Sequence, residues 1–259
     1  MVAVMPAHSA PRTILPAGTS EASWQRCATL ARVPALTLPQ LLQHDQRLVV
    51  VAPHPDDEIL ACGGLLALHN ARGGTCLVVA VTDGEASHTP QPGRSAQQLA
   101  QLRCAESREG LQRLGVAAKP LQVRRLSLPD SALERHTALL EGALSSWLHP
   151  RDVVVTTWQL DGHPDHEACG SAVARACAVA GCQLLQAPVW MWHWGQPGDA
   201  RVPWARLRCL PLPAAVVARK QHALEAHASQ LLPGQQGEPP ILGEVMASRL
   251  ARRAEYFFI

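Results

Sequence analysis

Two short clusters of histidine and acidic residues could carry out chemistry in this sequence. The first, at residues 54–58, has the order His-Pro-Asp-Asp-Glu, and the second, at residues 161–166, has the order Asp-Gly-His-Pro-Asp-His. Each follows a mostly apolar run, residues 48–53 in the first case and 152–157 in the second. Imidazole nitrogens and carboxylate oxygens are frequent zinc ligands. If both runs are strands of one sheet, the clusters meet at its edge, so we predict a metal site that they share.

The two clusters contain enough ligands for a hydrolytic zinc site, which needs about three protein ligands and one position open to water. His54, Asp57 and His166 can supply this set. Adjacent aspartates in a turning backbone point in different directions, so Asp56 can face the water while Asp57 binds the metal. Bound zinc lowers the pKa of its water to about 7, and a nearby carboxylate can take the proton as the water attacks a carbonyl carbon. We therefore predict Asp56 as the general base.

The second cluster offers two further catalytic candidates. Attack on an amide creates an oxyanion and a leaving amine that needs a proton, and an oriented imidazole can help with both. We predict this role for His163, with Asp165 positioned to orient an imidazole. Pro55 and Pro164 each restrict the preceding histidine to extended geometry, which helps to fix the ring.

The segments around the clusters alternate between strand-like and helix-like patterns. Apolar runs without alternation suit strands buried on both faces of a parallel sheet. This rhythm predicts an α/β fold, a Rossmann-like three-layer domain with a mainly parallel sheet flanked by helices. Ligands gather at the carboxyl ends of strands in such folds. We expect strands at 48–52, 75–81, 121–128, 152–157, 188–194 and 207–210, and helices at 58–71, 95–114, 131–148, 166–180, 214–228 and 244–255.

The length of 259 residues fits one principal domain, which we assign to residues 46–259. Residues 1–45 are rich in proline and predict an irregular N-terminal extension packed on the domain, with one short helix around residues 21–30. The role of this extension stays open at this point.

Composition excludes several classes of protein. The formal net charge is +2 without a basic run, which argues against a nucleic-acid partner. The eight cysteines form no CxxC pair, so we expect reduced packing residues. The first 20 residues lack the apolar core of a signal peptide, and no run approaches the roughly 20 apolar residues of a membrane span. These features predict a cytoplasmic protein without a membrane span.

Both clusters, together with weaker elements, resemble the LmbE-like, or PIG-L, family of zinc-dependent de-N-acetylases. The family has an (A/P)HPDDE segment and a later HPDH-type segment, which correspond here to residues 53–58 and 163–166. The resemblance spans most of residues 47–230. Its weaker elements are Thr82-Asp83-Gly84-Glu85, Arg103 with Glu106, Leu114-Gly115-Val116, and Lys220 through His227-Ala228-Ser229-Gln230.

The resemblance implies a hydrolase that removes an N-acetyl or small acyl group from an amino sugar, such as N-acetylglucosamine, or from a glycoconjugate. It implies the same ligands and base as the residue chemistry, with His163 supporting the tetrahedral intermediate or the leaving group. Arg103 and, more loosely, Asp130 match family positions that contact substrate, although Arg103 could instead pair with Glu106 or Ser107 on its own helix. The implied cofactor is Zn²⁺, with Fe²⁺ as the other candidate. A homo-oligomer is compatible with the sequence.

Tryptophans are the other conspicuous residues. Trp158 directly precedes the second cluster, and we predict that it lies at the rim of the site, where sugar rings stack on aromatic faces. Trp190, Trp192 and Trp194 alternate, so in a strand they would share one face, and such a row is more often part of a core.

Two other classes of function remain open from the sequence. A non-haem iron(II) oxygenase also uses two histidines and one carboxylate, and His54-x-Asp56 with a distant histidine fits that triad. Those enzymes use antiparallel jelly rolls, whereas this chain alternates strands and helices. The other class is a non-catalytic binding module in which a metal only joins two loops.

Overall fold

The computed structural model describes residues 12–15, 17–88, 95–116, 121–234 and 237–259. Within them, seven strands form one sheet in the order β3-β2-β1-β4-β5-β7-β6. The first five strands run parallel, while β7 is antiparallel to both of its neighbours. The strands are β1 (Leu48–Ala52), β2 (Cys76–Thr82), β3 (Leu121–Leu128), β4 (Val153–Thr157), β5 (Gln183–Ala187), β6 (Leu207–Pro211) and β7 (Ala254–Phe258).

Strand β1 shows why the domain has three layers. All of its residues are buried, and successive side chains point to opposite faces of the sheet. Leu48 and Val50 belong to a core on one face, and Val49 and Val51 belong to a separate core on the other. A strand covered by helices on both sides can be apolar throughout, which is why it has no alternating pattern. The predicted three-layer α/β fold with a mainly parallel sheet is confirmed.

Helices follow the parallel strands and cover both faces. Helices α4, α5, α9 and α11 contribute to the core that contains Val50, and helices α6 and α7 contribute to the core that contains Val49. A 3-10 turn, residues 133–136, precedes α6. These helices are α4 (Asp57–Ala71), α5 (Ala96–Leu114), α6 (Thr137–Ser145), α7 (Pro164–Ala180), α9 (Ala214–Leu224) and α11 (Glu244–Ser248), with the shorter α8 (Met191–Trp194) and α10 (Ala228–Leu231) between them.

The predicted strand over residues 188–194 is wrong. The fifth parallel strand ends at Ala187, and the tryptophans that follow belong to the short helix α8. The Asp161 carboxylate explains this bend, because it accepts hydrogen bonds from the backbone N–H groups of Val189, Trp190 and Met191 at 2.9–3.0 Å. Three N–H groups that converge on one carboxylate cannot also pair along an extended strand.

The predicted helix over residues 244–255 is too long. Helix α11 ends at Ser248, and the chain returns as strand β7 between β5 and β6. The buried side chain of Glu255 fixes this strand, since it pairs with Lys220 at 2.5 Å and accepts the backbone N–H groups of Gly64 and Leu65. These partners lie far along the chain and give no local signal in residues 244–255.

The described part of the N-terminal extension contains three short helices, where the sequence predicted one. They are α1 (Glu21–Gln25), α2 (Ala28–Ala31) and α3 (Leu38–Leu41), and residues 1–11 and 16 lie outside the described chain. Trp24 anchors the segment, because its indole N–H donates to the carbonyl of Trp192 at 2.8 Å. None of the helices in the described residues is long and apolar enough to cross a membrane.

Candidate metal centre

The two clusters meet at the carboxyl ends of neighbouring strands. Strands β1 and β4 pair directly, so the segment after β1 and the start of α7 lie side by side. Asp57 Oδ2 is 3.2 Å from His54 Nδ1 and 3.2 Å from His166 Nε2. One atom from each residue falls within 4.8 Å of the others, so this group could hold a metal ion. The predicted trio His54, Asp57 and His166 is thus brought together.

The outer nitrogen of each of these imidazoles faces a carboxylate. His166 Nδ1 lies 2.8 Å from Asp161 Oδ2. His54 Nε2 lies 3.2 Å from Asp130 Oδ1 and 3.3 Å from Asp165 Oδ2. Metal-binding histidines commonly donate their second N–H to a carboxylate, which fixes the tautomer and aims the ligand nitrogen. The donor set of two imidazoles and one carboxylate therefore fits a zinc-type ion.

His54, Asp130 and Asp165 form a second group with suitable spacing. Its carboxylates, however, already accept backbone hydrogen bonds. Asp130 accepts from the N–H of Ala86 at 2.9 Å, and Asp165 accepts from the N–H of Ser131 at 2.7 Å. These bonds suit the two aspartates to orienting His54. The first group offers two imidazoles where the second offers one, so it is the better metal centre.

The charges of the trio reinforce one another. Burial alone would raise the pKa of Asp57, but the adjacent imidazoles of His166 and His54 outweigh it and hold this pKa well below its usual range. Burial alone would lower the pKa of His166, but Asp57 and Asp161 raise it to about 9. The negative charges concentrated around the two imidazole rings therefore also favour the binding of a cation.

Asp56 stands beside this trio in an unusual backbone conformation. Its φ of 140° lies in a region that L-residues rarely adopt, and it directly precedes helix α4. Such strain persists at functional sites where the surroundings hold it. Burial raises the pKa of Asp56 to about 7, against the lowering effect of the Arg103 guanidinium. A buried carboxylate with this pKa has the properties that a general base at neutral pH requires.

Arg103 contacts the candidate base and not Glu106. Its guanidinium donates to Asp56 Oδ2 at 3.2 Å, to the carbonyl of Pro55 at 2.9 Å and to the carbonyl of Gly84 at 3.0 Å. Glu106 instead accepts from the backbone N–H and the hydroxyl of Ser229. Arg103 borders the cavity but is only 2% exposed, so the contacts that it makes here hold the Asp56 loop.

His163 caps helix α7 through its ring. The backbone N–H of Asp165 donates to His163 Nδ1 at 3.2 Å, so the neutral ring carries its proton on Nε2. Burial lowers the pKa of His163 to about 3, with the nearby His166 and His54 adding to the effect. The ring stacks on the indole of Trp190 with their planes 22° apart. His163 therefore presents an N–H donor whose direction is fixed.

A cavity of about 300 Å³ opens over these groups. Its size lies at the lower end of the range of small-molecule sites. Seven of the nine site residues predicted from the sequence line it, namely His54, Asp56, Asp57, Arg103, Asp130, His163 and His166. Asp165 lies behind His54, where it orients that imidazole.

Trp158 corrects one sequence-based expectation. It is 2% exposed and is absent from the described residues that line the cavity. Its ring lies 4.4 Å from that of Phe258 and stacks on Trp194 at 6.5 Å, within a separate aromatic core. The large apolar area of the indole is buried where strand β4 ends, because α8 folds over it. Trp158 is a core residue, not a rim residue.

Several residues of the site carried no clear signal in the sequence. Asp161 is fully buried and orients His166, and only its position at the start of the second cluster could have suggested this role. Nine further residues line the cavity without having been predicted as site residues, namely Ile14, Leu60, Ala86, Ser87, Ser131, Trp190, Gln230, Ile241 and Leu242. Their convergence depends on loops whose paths the local sequence does not determine.

Comparisons with known proteins agree with this geometry. The PIG-L family profile, described as GlcNAc-PI de-N-acetylase, matches residues 49–177. A 1D-myo-inositol 2-acetamido-2-deoxy-alpha-D-glucopyranoside deacetylase of Tsukamurella paurometabola is 28% identical to the chain, over 83% of this chain and 93% of the relative. The matched region contains both clusters, and the chain belongs to the PIG-L, or LmbE-like, family.

Solved structures show the same fold. An A40926 pseudoaglycone deacetylase superposes with a TM-score of 0.60 at 22% identity, covering 82% of this chain and 96% of that one. The N,N'-diacetylchitobiose deacetylase of Pyrococcus horikoshii gives a TM-score of 0.54 at 20% identity, covering 75% and 74% of the two chains. At these identities the likeness concerns the fold alone.

Proposed function

We propose that this protein is a metal-dependent hydrolase that removes an N-acetyl or small acyl group from an amino sugar or a glycoconjugate. The observation that carries the proposal is the convergence of His54, Asp57 and His166 on one point, with the Asp56 carboxylate beside it in the same cavity. Membership of a family whose relatives are named deacetylases supports the same reaction.

Zinc is the metal that we propose. Two imidazoles and one carboxylate, with a cavity on the open side, correspond to the ligand set of zinc hydrolases. A divalent ion bound there would polarise the acyl carbonyl and lower the pKa of a water molecule to about 7. Asp161 and Asp165 would hold the two imidazoles in their ligating orientation through the second ring nitrogens.

Asp56 is the proposed general base. In the proposed reaction, its carboxylate accepts a proton from the attacking water and returns that proton to the leaving amine, which keeps the proton count balanced. Arg103 holds the carboxylate through the contact at 3.2 Å and two bonds to neighbouring carbonyls. The substrate contacts that we attribute to Arg103 and Asp130 rest on their positions at the cavity wall.

His163 is the proposed oxyanion donor. Because Nδ1 accepts from the backbone N–H of Asp165, the proton sits on Nε2 and can be donated to the oxygen that becomes negative. The ring needs no reorientation during the reaction, since Trp190 stacks on one face of it. Preorganised donors of this type account for much of the rate in acyl transfer.

The remaining parts of the proposal concern substrate and setting. A cavity of about 300 Å³ suits a single sugar ring better than a polymer, so we propose a small molecule or the terminal sugar of a glycoconjugate. All eight cysteines are free, which supports a reducing, cytoplasmic setting. We take residues 46–259 as the deacetylase domain and residues 1–45 as an extension packed on it.

The test is release of acetate from a broad panel of N-acetylated amino sugars by protein stripped with a chelator and reloaded with zinc. We expect turnover that requires the metal and proceeds without oxygen, which also separates this hydrolase from an iron(II) oxygenase. A mainly parallel sheet already argues against the jelly-roll scaffold of those oxygenases. Absence of acetate release across the panel from zinc-loaded protein would contradict the proposal.

A further inference from the structure

The N-terminal extension sends a strap to the metal cavity. We define the strap as residues 12–15 and 17–20. It runs over the segment that contains α8, where the N–H of Thr19 donates to the carbonyl of His193 at 2.9 Å and the Thr19 hydroxyl donates to the carbonyl of Gly195 at 2.5 Å. His193 Nε2 donates back to the carbonyl of Leu15 at 2.5 Å. Three hydrogen bonds between the strap and this segment therefore fix the path of the strap.

Two glycines allow this close approach. A Cβ on Gly18 would lie 2.3 Å from the ring of His193, and a Cβ on Gly162 would lie 2.9 Å from the carbonyl oxygen of Arg12. Both glycines also have positive φ, at 54° and 93°, which disfavours other residues. Since Gly162 directly precedes His163, the strap reaches the catalytic cluster itself.

Ile14 is the residue through which the strap enters the site. Ile14 lines the metal cavity and also packs against the aromatic core that contains Trp158 and Trp194, whereas the next residue, Leu15, is 60% exposed. The hydrogen bonds that anchor the strap are made by Leu15 and Thr19, which follow Ile14, so these bonds do not involve the Ile14 side chain.

Ile14 is one of several apolar residues that line the cavity. Apolar side chains from three other segments line it as well, namely Leu60, Trp190, Ile241 and Leu242. We call these five residues the apolar wall. The backbone N–H of Leu242 donates to the carbonyl of Gln230 at 2.9 Å, which ties the last part of the wall to the site. An amino sugar with a free hydroxyl at every position would leave this apolar surface without a matching partner.

We propose that Ile14 is a specificity-determining residue, and that the substrate carries an apolar group of several carbons attached to the amino sugar, which the apolar wall covers. This inference rests on the proposed deacetylase function for the same cavity. The group could be a longer acyl chain on the nitrogen or an alkyl or aromatic aglycone on the anomeric oxygen. The apolar wall would bind either group in the same way, by removing its methylenes from water. Each buried methylene strengthens binding about fourfold.

The first experiment measures kcat/KM in two substrate series. One series lengthens the acyl group of methyl glucosaminide from acetyl to butanoyl and hexanoyl, and the other lengthens the aglycone of N-acetylglucosamine from methyl to butyl and hexyl. In the unchanged protein we expect kcat/KM to rise at least tenfold from the shortest to the longest member of one series. The series that responds identifies where the apolar group is attached.

Ile14→Ala is the matched perturbation, and Leu15→Ala is its control. Ile14→Ala removes methyl groups from the wall, so we expect the ratio of kcat/KM between longest and shortest substrate to fall by about threefold or more. Leu15→Ala keeps the carbonyl that anchors the strap and changes a solvent-exposed side chain, so we expect the ratio to stay the same. A ratio near one in both series, or an equal ratio in Ile14→Ala and the unchanged protein, would overturn the proposal.

A binding measurement separates this proposal from the deacetylase function. Hexyl glucoside has no amide and cannot be deacylated, and its binding can be followed by tryptophan fluorescence because Trp190 lines the cavity. We expect Ile14→Asp to weaken this binding by at least tenfold and Leu15→Asp to leave it unchanged. If no substrate is deacetylated but Ile14→Asp alone weakens hexyl glucoside binding, the proposed function is contradicted and the role of the apolar wall is supported. If acetate is released but the difference is absent, only the wall fails.

Discussion

The metal centre and the apolar wall border the same cavity but are built in different ways. The centre comes from two motifs on adjacent strands, and its functional atoms are fixed by hydrogen bonds between side chains and backbone. The wall comes from four separate segments whose side chains share only apolar character. Chemistry at the centre depends on atoms placed to within tenths of an ångström, whereas selectivity at the wall depends on how much apolar area faces the substrate.

Asp161 connects the two regions. One oxygen of its carboxylate faces His166 Nδ1, and the same carboxylate accepts the N–H groups that start the bend before α8. The position of Trp190 in the wall and the orientation of His166 in the centre thus depend on one buried side chain. The metal centre and the apolar wall, although built differently, thus share Asp161 as a structural support.

Asp56→Asn should have the largest effect. It removes the proposed base but keeps the shape of the side chain, so we expect kcat to fall by roughly 10²–10⁴-fold while zinc content is unchanged. Acetate release and metal analysis on the same sample check this. Nearly full acetate release by Asp56→Asn would contradict the role of Asp56 as the general base.

Trp158→Ala should lower stability strongly and affect the chemistry little. Removal of an indole buried against Trp194 and Phe258 is expected to reduce the free energy of unfolding by about 3–5 kcal/mol. The measurement is urea unfolding, with KM determined on the folded fraction. A large rise in KM without loss of stability would contradict this and support a substrate contact of Trp158 at the rim of the site.

Asp161→Asn should affect both regions at once, more weakly than loss of the base. Loss of the charged partner of His166 is expected to weaken zinc binding by about 10–100-fold. The bend before α8 also loses charge-assisted hydrogen bonds, so the preference for long substrates should decline as well. Zinc titration against a chelator and the two substrate series give both readouts. A change in one region alone would show that Asp161 does not couple them.

His227, which is not among the residues that line the cavity, provides a pH test. Its side chain is fully buried, its ring nitrogens make no hydrogen bond within the described residues, and burial lowers its pKa to about 3. Charged neighbours that act on it are Arg103 and Arg113, which lower the pKa, and Asp57, which raises it.

The lowered pKa of His227 makes the free energy of unfolding fall as the pH falls. Because the folded pKa lies below the unfolded value of about 6.5, protons bind preferentially to the unfolded chain as the pH falls below that value. We expect this residue alone to cost about 2 kcal/mol of stability between pH 7 and pH 5. His227→Leu should flatten the dependence by that amount, and His222→Leu, at an exposed histidine, should not. Equal slopes in both variants would contradict the assignment.

The convergence of the two clusters could be predicted from the sequence because the signals for it are local. Both motifs follow valine-rich runs, parallel strands present their ends at one edge, and the ligand chemistry of histidine and aspartate restricts the roles. The wall and the Trp158 environment were not predictable in this way. Whether residues 188–194 extend or bend depends on the Asp161 carboxylate, a contact between distant positions.

The same reason explains the other differences. Strand β7 is held in place by Glu255, which pairs with Lys220 and accepts two backbone N–H groups of α4. No pattern within residues 244–255 reveals those partners. Ile14 belongs to a proline-rich segment without periodicity, and its place at the cavity depends on the docking of Leu15 on His193, for which the sequence has no local signal.

The most direct test is a zinc titration of the metal-free protein, followed by X-ray absorption at the zinc edge. We expect one zinc per chain, held by two nitrogen ligands and at least one oxygen ligand at about 2.0–2.2 Å, and loss of the tight site in both His54→Ala and His166→Ala. Retention of tight zinc binding when either histidine is replaced, or a zinc shell without two imidazoles, would contradict a metal centre shared by the two clusters.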